Sequence, residues 1–166
     1  MTLGVGDLAP DFTLACSSGG TVTLSDLTRS QHRTVVVFFY PKDETAGCTA
    51  EACSFRDVFA EFATAGAEVV GISSDSTESH RRFAEKHNLP MKLLADPDAA
   101  VRRAYGVRST LGIIPGRETF VVDRDGVVRH KFASQLRVGR HVQQALAVVQ
   151  ELERQNSEHR SVLKRS

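Results

Sequence analysis

The chain has 166 residues, 41% hydrophobic and 25% charged, the size and mix of one domain that buries a core without staples. A net charge of +1 gives no general attraction to nucleic acid or to an anionic membrane, so partners must be argued locally. The opening "MTLGVGDLAPDFTL" has no basic or continuous apolar run, and no later run is long enough to span a bilayer, so the expected setting is cytoplasmic.

In chain order, "DFTLACSSGGTVTLSDL" reads as a hairpin around a Ser-Ser-Gly-Gly turn. "TVVVFFY", from Thr34 to Tyr40, is apolar at consecutive positions, as in a central strand covered on both faces. Ala52, Phe55, Phe59 and Phe62 recur at helical spacing, with Gly66 as the C-terminal stop. "AEVVGISSD" is a second buried strand, and "STESHRRFAEKHNLP" an amphipathic helix ended by Asn88 and Pro90. "KLLADP" is a short strand, "DAAVRRAYG" a helix, and "RETFVVDRDGVVRHKF" a hairpin turning at Asp125-Gly126. The last helix is predicted from about Val138 to Glu153, leaving 154–166 as a flexible tail on a domain spanning 1–153. This order predicts an α/β fold: a mixed central sheet with helices on both faces and an N-terminal hairpin.

Two of the three cysteines, Cys48 and Cys53, follow the Thr34–Tyr40 run closely. In a reducing compartment an odd cysteine count does not read as a disulfide framework, so any bond is expected to be transient and catalytic. If a helix begins just after the loop, Thr45 is placed as its N-cap, in a capping box where the thiol replaces the usual acid, and Cys48 falls at the third helical position. There the free N–H groups and the helix dipole favour thiolate over thiol. Asp43, Glu44 and Glu51 oppose a further negative charge, so a cation is required from elsewhere. Arg117 is the candidate, at the start of a strand that can lie beside the first one.

Five residues along a helix turn about 140° and rise about 7.5 Å, which separates two Cα atoms by roughly 8 to 9 Å. A disulfide tolerates about 7 Å, so Cys48 and Cys53 cannot bond while the helix is intact. Two readings stay open: Cys53 is a bystander, or the helix end unwinds after Cys48 is oxidised to a sulfenic acid.

"YPKDETAGCTAEACSFRD" resembles the active-site segment of the peroxiredoxins, with Pro41, Thr45 and Cys48 meeting the Pro-x-x-x-Thr-x-x-Cys signature. Its continuation is similar to the subgroup called bacterioferritin comigratory protein or peroxiredoxin Q, and "RETFVVDRDG" resembles the family's arginine strand. The likeness runs over roughly Gly4 to Leu152. It implies a thioredoxin-like fold and a thiol peroxidase acting on hydrogen peroxide and organic hydroperoxides. By the same resemblance Cys48 is the nucleophile, Thr45 and Arg117 hold the peroxide, and Pro41 shields the intermediate. Cys53 resolves it as a Cys48–Cys53 disulfide that thioredoxin or a similar dithiol reduces. No metal or organic cofactor is implied, and a monomer or weak homodimer is expected. Ala46 stands where the subgroup usually has proline, a departure expected to ease unwinding.

The alternative enzyme, a thioredoxin-type thiol–disulfide oxidoreductase, fits less well because its usual pair is Cys-x-x-Cys. A binding module that has lost the chemistry is a third reading, opposed by the intact set of Pro41, Thr45, Cys48 and Arg117. His80 and His87 share a helix but no zinc-spaced cysteine pair, and His32, His130, His141 and His159 read as solvated surface. Cys16 reads as a lone structural or surface thiol, with an intermolecular bond as the alternative. Arg81-Arg82 and Arg102-Arg103 read as solvated helix faces.

Overall fold

Every residue of β3 (Thr34–Phe39) is buried, and the sheet grows outward from that strand. The structure, a computed structural model, describes residues 3–109, 115–135 and 137–165. β3 lies between β4 (Ala67–Ser73), parallel to it, and β6 (Glu118–Val122), antiparallel to it. Beyond β4 come β5 (Lys92–Ala95), then the hairpin of β1 (Thr13–Cys16) and β2 (Thr21–Thr23). Beyond β6 lies β7 (Val128–Ala133), giving the order β2-β1-β5-β4-β3-β6-β7. The expected mixed sheet and both hairpins are present, the second turning through Gly126 at a φ of 83°.

Side chains on a strand alternate between faces, so β3 serves two cores. Val35, Val37 and Phe39 pack with Phe12, Leu24, Tyr105 and Phe120. Val36, Phe38 and Tyr40 pack on the opposite face with Cys48, Phe55, Phe62 and Phe83. The second face carries α1 (Ala46–Asp57), α2 (Phe59–Thr64), α3 (Thr77–His87) and the terminal helix α5 (Val138–Arg165). The first is closed by α4 (Ala100–Ala104) and by the N-terminal segment with its π-helical turn at Asp26–Ser30.

The single helix expected over Ala52 to Phe62 is broken at Val58, whose φ of −116° and ψ of 17° are not helical. Both halves still bury an aromatic ring, Phe55 and Phe62, against the sheet. The largest departure is at the C-terminus, where α5 runs on to Arg165 instead of ending near Glu153. These last turns bury nothing large. Charge pairs at helical spacing carry them: Arg154 meets Glu151 and Glu158, and Arg160 meets Glu153 at 3.1 Å.

Gly71 sits opposite Phe38 in the β3–β4 register, and a Cβ at that point would lie 2.5 Å from the Phe38 ring. The missing side chain lets Phe38 lie flat against Phe55, with ring centroids 4.6 Å apart, under the first helix. Gly71→Ala is therefore expected to destabilise the fold by about 1–3 kcal/mol, the usual cost of overpacking, read as a lower urea midpoint.

Candidate active site

The chain leaves β3 through buried Tyr40 and partly buried Pro41, crosses a short loop, and enters α1 at Ala46. Thr45 has the extended backbone of an N-cap, with φ −75° and ψ 151°. The position is as expected; the bond is not. The Thr45 hydroxyl donates back to the Lys42 carbonyl at 3.0 Å and caps no helical N–H, so no capping box forms. Cys48 is the third residue of α1, as predicted, and is 1% exposed.

Arg117 reaches the sulfur: its Nη2 donates to Cys48 Sγ at 3.1 Å, and its Nη1 donates to Glu51 Oε1 at 3.0 Å. β6 places it there, because Glu118 pairs with Phe39 and the preceding Arg117 therefore emerges beside the strand end that leads to Pro41. A Cβ on Gly47 would lie 3.2 Å from Arg117 Nη2, a tight contact, so the slim first turn of α1 lets the guanidinium approach closely. Burial works against the Arg117 charge, yet Glu51 and Cys48 beside it hold its pKa above the ordinary arginine value. Burial pushes the Glu51 carboxyl up to about 7, although Arg117 pulls the other way. Beyond Glu51 lies His141 of α5, fully buried rather than solvated as its sequence setting suggests. Its Nδ1 is 2.7 Å from the Thr119 hydroxyl, and its Nε2 donates to the Ser134 carbonyl at 2.8 Å. Burial pushes His141 down to about 4.

The loop before Cys48 is anchored by Asp43. Its carboxylate accepts from the Tyr40 hydroxyl at 2.6 Å, the Ser79 hydroxyl at 2.8 Å and His80 Nδ1 at 2.7 Å. His80 Nε2 donates to the Leu94 carbonyl at 3.0 Å, so both ring nitrogens face oxygen acceptors. The Asp43 N–H is taken by Asp75 at 2.9 Å. Burial opposes the Asp43 charge, but the hydrogen bonds from His80, Tyr40 and Ser79 hold its carboxyl below the usual carboxylate range.

A second brace comes from Arg102, 7% exposed rather than on a solvated face. Its Nη2 donates to the Tyr40 carbonyl at 2.7 Å and its Nη1 to the Gly116 carbonyl at 2.6 Å, the residues just before Pro41 and Arg117. Cys53 lies half-buried further along α1, which is intact from Ala46 to Asp57. The three cysteines are free thiols here, and Cys16 is buried on the other core, 3.2 Å from the Ser18 hydroxyl.

A profile of the AhpC/TSA family matches residues 5–131. The chain belongs to this family. It is 48% identical over 148 residues to peroxiredoxin Q, chloroplastic, of Sedum lineare, covering 89% of this chain and 78% of that one. Among solved structures it is similar to peroxidoxin BcpB of Mycobacterium tuberculosis, with TM-score 0.81, 38% identity and coverage of 90% and 97%. Peroxiredoxin Q of Xanthomonas campestris follows with TM-score 0.80, 30% identity and coverage of 91% and 97%. The chain is thus a peroxiredoxin of the Q and bacterioferritin comigratory group.

In this peroxiredoxin Cys48 and Arg117 meet directly, Pro41 and Thr45 lie on the loop that delivers the helix, and Cys53 stands apart from Cys48 on the same helix. Glu51, His80, Arg102 and His141 are the residues that sequence reasoning missed or misread. Glu51 carried a signal, being three residues from Cys48 and hence on the same helical side. The other three reach the site only through tertiary folding. Because Asp43 is held below its unfolded pKa, its network stabilises fully above about pH 4 and is lost as pH falls through the folded value. Asp43→Asn is expected to cost about 3 kcal/mol near pH 7, and the difference from the parent should shrink as pH falls below the ordinary carboxylate range, measured by urea midpoints across that range.

Proposed function

We propose that this chain works as a thiol peroxidase through Cys48, with Arg117 and Thr45 as peroxide-holding groups and Cys53 as resolving thiol. The observation that carries the reading is the buried Arg117 guanidinium 3.1 Å from a cysteine sulfur at the start of a helix. A thiolate at that point gains from the helix end and from the cation, which together favour the nucleophilic form. The attacking sulfur bonds to the terminal oxygen of a hydroperoxide as the O–O bond breaks. The leaving alkoxide takes a proton and departs as alcohol or water, and Cys48 is left as a sulfenic acid. Arg117 donors aimed at the oxygens stabilise the charge that develops on them.

Resolution follows when the first turns of α1 unwind and the Cys53 thiolate attacks the sulfenic sulfur. An S–S bond forms, and the hydroxide leaves as water after taking a proton. A dithiol of the thioredoxin type then reduces the disulfide and is itself oxidised. Support for organic hydroperoxides comes from the Xanthomonas campestris bacterioferritin comigratory protein, 30% identical, whose structures are described with alkyl peroxide reduction activity. A monomer or weak homodimer is proposed as the working unit. No described helix is long and apolar enough to cross a membrane. An odd count of three cysteines suits a reducing compartment such as the cytoplasm, and the catalytic domain is taken as 1–153.

The deciding assay is peroxide consumption with thioredoxin, its reductase and NADPH. The parent should turn over, Cys48→Ser should be inactive, and Cys53→Ser should react once without being recycled. Normal turnover by Cys53→Ser would move resolution to Cys16 or an external thiol; disulfide reduction without peroxide use would support an exchanger instead. Ala46 is the first residue of α1, a position that tolerates proline. Ala46→Pro is expected to slow disulfide closure several-fold by stiffening that turn, as followed by the rate of thiol loss after one equivalent of peroxide. An unchanged rate would show that unwinding does not begin there.

A further inference from the structure

Building on the thiol-peroxidase reading, we propose that Glu51 competes with Cys48 for the charge of Arg117, releasing it to the sulfur when protonated and withdrawing it when ionised. The Glu51 side chain is 0% exposed, and a single donor, Arg117 Nη1, reaches its Oε1. Among the described residues no donor reaches Oε2. The near polar atom there is His141 Nδ1 at 3.7 Å. His141 Nε2 faces a carbonyl oxygen, which only accepts, so that nitrogen carries the hydrogen and Nδ1 keeps a lone pair, facing the Thr119 hydroxyl. The Thr119 hydroxyl donates into that lone pair, so His141 offers Glu51 no proton. A carboxylate oxygen without a donor in a dry interior is the costly state, and a proton on Oε2 removes the charge.

The competition follows from counting charges around Arg117. With Glu51 neutral, Arg117 and a Cys48 thiolate form a balanced pair. With Glu51 ionised, the two anions share the guanidinium and each weakens its hold on the other, so each ionisation opposes the other. The surrounding groups leave Glu51 as the one that changes near neutrality. From β6 and the residue before it come the neutral Thr119 hydroxyl and Arg117, while Glu118 is turned to Lys131 at 3.4 Å. From α5 comes His141 and from β7 His130, both lowered by burial and so neutral over most of the range. From α4 comes Arg102, a permanent cation that acts on Cys48 and Arg117. On α1 itself stands Cys48. Glu51 is accordingly a positioning residue whose proton decides how much of Arg117 the sulfur receives.

The test reads Cys48 without peroxide chemistry. In a Cys16→Ser, Cys53→Ser background, the alkylation rate of Cys48 by iodoacetamide is measured from about pH 5 to about pH 9. The expected parent profile has two steps, and Glu51→Gln converts it to one step with its midpoint lower by about one pH unit. Superimposable profiles would overturn the proposal. A uniform loss of rate in Glu51→Gln with unchanged steps would also overturn it, reducing Glu51 to a prop for Arg117. No alkylation of Cys48 in any variant would instead remove the reactive-thiol reading, and the proposal with it. If Glu51→Gln fails to fold, infrared spectra of the protein with ¹³C-labelled glutamate decide. A protonated carboxyl band should be present at about pH 6, persist in Glu118→Gln and vanish by about pH 8.5. Its absence at about pH 6 would overturn the proposal.

Discussion

A guanidinium with a sulfur on one nitrogen and a carboxylate on the other is the constraint that the rest of this molecule serves. Removing an arginine from water costs several kcal/mol unless its donors are matched, and Arg117 is 5% exposed. The matching comes from α1, while the arginine stands at the entry to β6, so the site exists only if helix and strand meet in one register. The antiparallel β3–β6 pairing sets that register, and a slip of one residue would turn Arg117 to the other face of the sheet. Arg102 reinforces it by bonding a carbonyl from each strand end, Tyr40 and Gly116, so that the two limbs are held as one unit. The two cores contribute in different ways: one supports the helix that carries Cys48, the other the segment that carries Arg102.

The acids near the cysteine illustrate how tertiary structure changes the sign of a local argument. Asp43 and Glu51 are negative groups a few residues from a thiol, and in sequence they oppose a thiolate. In the fold, Asp43 is turned away into Tyr40, Ser79 and His80, where its charge fixes the loop between β3 and α1. Glu51 is turned inward onto Arg117, where it brings the cation to the sulfur while sharing it. Neither carboxyl is simply a repulsive neighbour.

Much of the framework was legible because it rests on local pattern. The turn glycines gave the hairpins, the run of consecutive apolar residues gave β3, and the spacing of Thr45 and Cys48 placed the latter in the first turn of α1. Arg117 lies 69 residues from Cys48 in sequence, and strand adjacency together with the family's arginine strand was enough to find it. What stayed hidden depends on burial that no local pattern announces. His141 sits among charged and polar neighbours in sequence yet is sealed under Phe132, and Arg102 shares an arginine pair with Arg103 although only Arg102 is buried. The extension of α5 beyond Glu153 was missed for the opposite reason. A core-seeking reading stops where apolar residues thin out, whereas pairs such as Arg160 with Glu153 continue the helix without burying it.

Cys48 and Cys53 occupy one unbroken helix, and on the roles proposed for them this makes their encounter a matter of time rather than of reach. Neither side chain can search for the other by rotating; the backbone between them must first let go, and it does so at its own pace. While it holds, an oxidised Cys48 is stranded and open to a second oxidant molecule, which would carry it to the irreversible sulfinic state. The stability of three short turns thus acts as a dose meter. At low oxidant supply the helix frays first and the enzyme survives each cycle, whereas at high supply the next collision comes first and the molecule is retired.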